Sequence, residues 1–192
     1  TSATLAIDQI FVSFSQGSEG YDLGSVWLDT TFSNTNTQVG IDGVSTNPVS
    51  TIAAANTLIA STNLNKVAVA PTSSITFAAT QANQVFEGHE WTLALGGQNI
   101  AASMFIDATV TGTSTGAEAE FEDCIFGTSS MVAYQAYNCS YTGTQTWSAA
   151  GDYRFINCQS GVAGAGAPTF ALGTGNMTAE FRRWSGGINF TG

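Results

Sequence analysis

The sequence predicts an all-β fold, a right-handed parallel β-helix (solenoid) with a short N-terminal capping helix. Three observations carry that reading. First, one short unit recurs. Phe105-Ile106-Asp107-Ala108, Phe121-Glu122-Asp123-Cys124, Ala136-Tyr137-Asn138-Cys139, Phe155-Ile156-Asn157-Cys158 and Phe181-Arg182-Arg183-Trp184 follow one order: apolar, variable, Asp or Asn (Arg183 in the last), then small or apolar. Second, the steps between Cys124, Cys139 and Cys158 are 15 and 19 residues. A unit that short must stack on its neighbours to bury its apolar face, and the steps suit one turn of a parallel β-helix. Third, only 9% of the 192 residues are charged, and Thr, Ser, Asn, Gln and Gly carry the surface. That composition suits β-structure with repetitive turns.

The columns have physical roles. Asp107, Asp123, Asn138 and Asn157 sit at a bend, because Asx side chains tolerate left-handed backbone and bond the local main chain. The bend reverses the in/out alternation. Phe105, Phe121, Ala136 and Phe155 therefore face inward before it, and Ala108, Cys124, Cys139 and Cys158 after it. Val110, Phe126 and Tyr141 take the next inward position, followed by corner glycines at 112, 127, 143 and 161. Ile106, Glu122, Tyr137, Ile156 and Arg182 face out. A one-residue slip would exchange the two faces.

In chain order, two apolar runs, Leu5 to Phe14 and Gly24 to Thr30, read as strands, the first alternatively as a short helix. Residues 32–47 read as a polar loop with little to bury. Residues 1–46 form an N-terminal segment of strands and loop, for attachment or interchain contact, and 47–192 the helix-capped β-helix. The helix is expected to start at Asn47-Pro48, with Asn47 as N-cap and Pro48 in the first turn. Val49, Ile52, Ala55, Leu58 and Ile59 supply one apolar face up to about Thr62, a lid for the open end of the coil. Strands follow at Val67, Ser74 to Phe77, and Gln84 to Leu95. The stretch Gly161 to Phe170 is either an excursion or a packing surface between chains.

Charge and chemistry narrow the function. A net charge of −10 with four basic residues argues against nucleic-acid binding and against anionic membrane surfaces. Three cysteines in one repeat column read as free buried thiols rather than a disulfide framework. With His89 as the single histidine, no metal site is expected, and no cofactor. No residue is assigned a catalytic role. Stacked coils about 4.8 Å apart bring Asp107/Asp123, or Glu120 with Glu122, to glycosidase-like separations, but any Asx ladder does the same. His89 between Glu87 and Glu90 reads as solvated or locally bonded. Of the aromatics, Trp147, Tyr134 and Tyr137 are the candidate surface contacts for a sugar ring, while Trp184 belongs to the inward column. Ile106, Tyr137 and Ile156, with Ile125 beyond the bend, form an outward apolar row. Such a row indicates an interface between side-by-side coils around a three-fold axis. The opening on Thr1 suggests a processed or excised piece of a longer chain.

Several stretches together resemble a family of tailed-bacteriophage virion proteins with a pectate-lyase-like β-helix. They are Val26-Trp27-Leu28-Asp29-Thr30, Gly43 through Val49 with the Ala-rich helix, Lys66 to Val69, Val85 to Gly88, the Phe-Glu-Asp-Cys repeats, Phe155 to Ser160, and Arg183 to Gly187. The resemblance spans most of residues 24–192 and implies a trimeric, non-enzymatic fibre, spike or decoration component of a virion. The expected partners are the chain itself and other virion proteins. Two alternatives stay open: an adhesion module for host-surface glycan, and a glycan depolymerase on the same scaffold.

Overall fold

The computed structural model describes residues 21–161 and 166–192. The expected strand at Leu5 to Phe14 and the centre of the Gly/Ala stretch lie outside the described residues. The rest is a β-solenoid of about six turns with a single short helix. Every pairing between its named strands is parallel.

Each coil runs through three sides. The first side stacks β1 (Ser25–Leu28), β2 (Lys66–Val69), the start of β4 (Val85–Ala94), the start of β6 (Met104–Thr115), β7 (Ala119–Glu122), β9 (Tyr134–Tyr137), β12 (Gly151–Ile156) and β15 (Met177–Arg182). The second side stacks β3 (Ser74–Thr76), the second parts of β4 and β6, the start of β8 (Ile125–Met131), β10 (Ser140–Tyr141) and β13 (Gln159–Ser160). The third side stacks β5 (Gln98–Asn99), the ends of β6 and β8, β11 (Thr144–Trp147), β14 (Thr169–Leu172) and β16 (Asn189–Thr191). β1 is the first rung, so the stacked coil takes in residues of the 1–46 segment.

The corner between the first two sides is where the repeat pattern becomes geometry. Asp107, Asp123, Asn138, Asn157 and Arg183 all have φ between 54° and 56°, the left-handed conformation expected of the bend column. Thr72 and Glu90 occupy the same conformation in earlier coils. Asx side chains satisfy this backbone locally, and Asn157 Nδ2 donates to Asn138 Oδ1 at 3.2 Å across successive coils. Of the expected corner glycines 112, 127, 143 and 161, only Gly112 has positive φ (91°). Gly143 is required for space, since a Cβ there would lie 2.7 Å from the Thr128 backbone nitrogen.

The inward columns build one continuous core. Phe86, Phe105, Phe121, Ala136 and Phe155 are fully buried, as are Val110, Phe126 and Tyr141, in the expected register. Rings stack from coil to coil, with centroids 5.4 Å apart for Phe86–Phe105, 5.1 Å for Phe105–Phe121 and 4.6 Å for Phe126–Tyr141. Each such pair contributes about 0.5–1.5 kcal/mol beyond its buried area. Cys124, Cys139 and Cys158 are buried free thiols in the column after the bend. Burial pushes the Cys139 thiol well above its ordinary range, so it stays protonated.

The helix differs from expectation at its start. α1 runs Ile52–Thr62, with Thr51 as N-cap accepting from the Ala54 amide at 3.2 Å. Asn47 is not the cap, because its side chain binds the Ile41 carbonyl and Asp42. Val49 is not helical either: its N–H donates to the Trp27 carbonyl at 3.0 Å, and its own carbonyl accepts from Asp29. Pro48 thus holds an extended segment against β1 before the helix begins. Ala54, Ala55, Leu58 and Ile59 face the first rung, so the helix covers that end of the core. The loop preceding it buries more than its composition suggested. Asp42 is 3% exposed and accepts from Asn34 Nδ2 (3.0 Å), Asn47 Nδ2 (3.1 Å) and the Gln38 amide (2.7 Å).

Candidate functional site

Two outward columns run along the first side. In strand register these are Met104, Glu120, Gln135, Arg154 and Glu180, and then Ile106, Glu122, Tyr137, Ile156 and Arg182. Alternation along each strand places them there, because their neighbours Phe105, Phe121, Ala136 and Phe155 fill the core. Beside the first column, Glu118 in the loop entering β7 and Asp152 near the start of β12 add two more carboxylates. The result is an open groove of ≈ 940 Å³ lined by Glu118, Glu120, Gln135, Asp152, Arg154 and Glu180, among others. Its strand wall lies two residues before the Ile106 column, and of its carboxylates only Glu120 is considered from the sequence alone.

The groove's far end holds a charged network. Glu180 accepts from Arg154 Nε at 2.8 Å and from Arg182 Nε at 2.5 Å. The Arg154 hydrogen bond is the main reason its carboxyl is held below the usual range, and Arg154 is raised in return. Lys66 pairs with Glu87 on the same side of the coil, nearer the helix-capped end. Near that end of the corner, His89 Nδ1 meets Asp107 Oδ2 at 2.5 Å. That contact raises the imidazole above its ordinary value, with Glu90 adding to the effect.

The structure redistributes the predicted site residues. Tyr137 is half-buried on the outward face and donates its hydroxyl to Gln135 Oε1 at 2.8 Å. Tyr134 and Trp147 are corrected: they are 1% and 2% exposed and belong to the core. Trp147 stacks on Tyr153 at 4.5 Å inside the coil, and Tyr134 packs edge-on to Phe121, Tyr153 and Phe155. Both lie at inward positions of the alternation, on β11 and β9, which leaves no ring face for a sugar. Of the row Ile106, Ile125, Tyr137 and Ile156, all four point outward, with Ile125 the most open at 44%. Among the described residues no group of three or more His, Cys, Asp or Glu side chains could hold a metal ion. The Asp107/Asp123 pair lies in the corner stack, whereas Glu120 and Glu122 share one strand face.

The fold and this face define a parallel β-solenoid with a charged lateral groove and an adjoining apolar row. Comparison with family models, with curated proteins and with solved structures finds no match.

Proposed function

We propose that this chain is a non-enzymatic structural component of a virion, a fibre, spike or decoration protein of a tailed phage, built as a right-handed coil and assembled as a homotrimer. The observation that carries the reading is the outward column of Ile106, Tyr137 and Ile156 on the first side, with Ile125 across the bend at the start of the second. Parallel coils around a three-fold axis bury such a row along their length. Right-handed winding follows from the strong preference of parallel strand connections for that hand. The virion setting rests on the resemblance of its ordered motifs to those of a tailed-phage virion family. Ile125→Asp combined with Ile156→Asp tests the assembly. Both side chains point away from the core, so the variant is expected to keep its β-sheet circular dichroism while the particle falls to single chains in light scattering. An unchanged mass in the folded variant would refute this interface.

A second reading is favoured by the groove. Its ≈ 940 Å³ and its carboxylates, with Arg154 and Gln135 between them, suit the hydroxyl groups of a host-surface glycan. A glycan array tests binding, and release of reducing ends from a bacterial surface polysaccharide tests depolymerisation. The structural reading predicts neither signal. Binding lost on Glu120→Gln and Arg154→Ala would favour adhesion instead.

A further inference from the structure

Neither the lateral row nor the groove uses the cysteine column, yet it is the one place where three nucleophilic groups stand together. Tyr137 pairs with Glu122 and with Ile156, and Ser140 pairs with Ile125 and with Gln159. The residues between these two pairings are equal in number in each coil, so Cys124, Cys139 and Cys158 are in register on three successive coils. The main chain agrees: the Ser140 amide donates to the Cys124 carbonyl and the Gln159 amide to the Cys139 carbonyl, both at 2.9 Å. The Cys139 sulfur accepts from the Cys124 amide at 3.4 Å, so it leans over the coil before it. All three thiols are free and at most 1% exposed.

Coil spacing decides which of them can join. Successive coils lie about 4.8 Å apart, inside the Cα separation of about 4.4–6.8 Å that a disulfide spans. Cys124 and Cys158 are two coils apart, about 9.6 Å, which is beyond that reach. We propose that the column is an oxidative modification site, where a peroxide joins Cys139 to one neighbour in a single disulfide that staples two coils. Cys139 belongs to either possible bond, and the remaining thiol stays free. In the first step the peroxide passes one oxygen to a thiol, giving a sulfenic acid and one water. The neighbouring thiol sulfur then attacks that sulfur. The S–S bond forms, the S–O bond breaks, and the departing hydroxide leaves with the thiol proton as a second water. The two sulfurs together lose two electrons and the peroxide gains them. Burial keeps every sulfur from reagent in the closed coil, so the reaction proceeds through local opening. Once formed, the staple restricts the unfolded chain and stabilises the folded one.

Long exposure of the folded 192-residue chain to dilute hydrogen peroxide, followed by acid quenching and non-reducing peptide mapping, tests the site. One of the three thiols is expected to stay free, and the other two to appear in one linked peptide pair that contains Cys139. That pair should weigh two hydrogen atoms less than its separate peptides. The oxidised protein is expected to melt at a higher temperature than the reduced one, and a reductant should reverse the shift. Cys124→Ala and Cys158→Ala should each still form a bond through the pair that remains. Cys139→Ala should form none within the chain. Circular dichroism checks that this last variant folds, and where it does not, the map of the parent chain decides alone. A bond between Cys124 and Cys158, or a disulfide within folded C139A, would overturn the proposal. So would links only between separate chains, sulfinic acid in place of a bond, or three thiols that persist in the parent.

Discussion

At the scale of the residue, the bend column governs the coil. Asn138 holds φ at 56° between a buried Ala136 and a buried Cys139, so its conformation cannot relax without displacing the core on both sides. Asn138→Val puts a β-branched side chain into left-handed backbone and is expected to destabilise the protein by about 1–2 kcal/mol or more. Asn138→Gly is expected to cost much less, and urea melts of the two variants check the difference. This column was legible because Asx residues mark the bend chemically. Arg183, in the same conformation, carries no such mark and followed only from its place in the repeat, and Glu90 was not legible as a bend residue at all. His89 makes a separate prediction. Its pKa is raised chiefly by the Asp107 hydrogen bond, so the pair stabilises the fold fully below the ordinary imidazole value and loses that contribution as pH rises through the raised one. Thermal melts of His89→Gln and the parent protein should therefore differ most at mildly acidic pH and converge at alkaline pH. A gap that widens with pH would refute the assignment.

At the scale of the element, α1 is the part whose removal should be felt at one end only. Thr51→Ala removes the cap to the Ala54 amide and is expected to cost about 1 kcal/mol. Leu58→Ala empties a fully buried position against the first rung and is expected to cost about 2–5 kcal/mol. Hydrogen exchange should rise first in β1 and the helix and leave β7, β9 and β12 protected; uniform loss of protection would mean that the cap is no separate unit. The helix was legible in its apolar face but not in its start. Asn47-Pro48 carries the usual signals for a helix N-terminus, yet the distant β1 edge claims Val49 and the buried Asp42, five residues back, claims the Asn47 side chain, and neither bond is marked by the helix signal. The surface aromatics failed for a related reason. Trp147 sits in the polar run Thr144-Gln145-Thr146-Trp147-Ser148, which hides an inward alternation because Gln145 is itself buried, bonded to Ser129 and to the Gly127 carbonyl. A buried, hydrogen-bonded glutamine is invisible to hydropathy and shifts the apparent face by one.

At the scale of the whole molecule, the solenoid of about six turns has a helix-covered first rung and a lateral face. The lateral face joins the charged groove to the column of Ile106, Tyr137 and Ile156, and Ile125 stands across the bend on the next side. The register that places this row outward was readable from the repeat alone, since the phenylalanine and cysteine columns fix which residues point in. The column that walls the groove shares that register, but the groove itself was not legible, because it depends on how the loop bearing Glu118 and the start of β12 bearing Asp152 stand beside the other strands. Assembly through the lateral row is the central claim, and the mass of the native particle tests it most directly. Light scattering on the intact chain is expected to give a multiple of three times the 19.9 kDa protomer. A particle of one or two chains would contradict the three-fold assembly and assign the apolar row to a different partner.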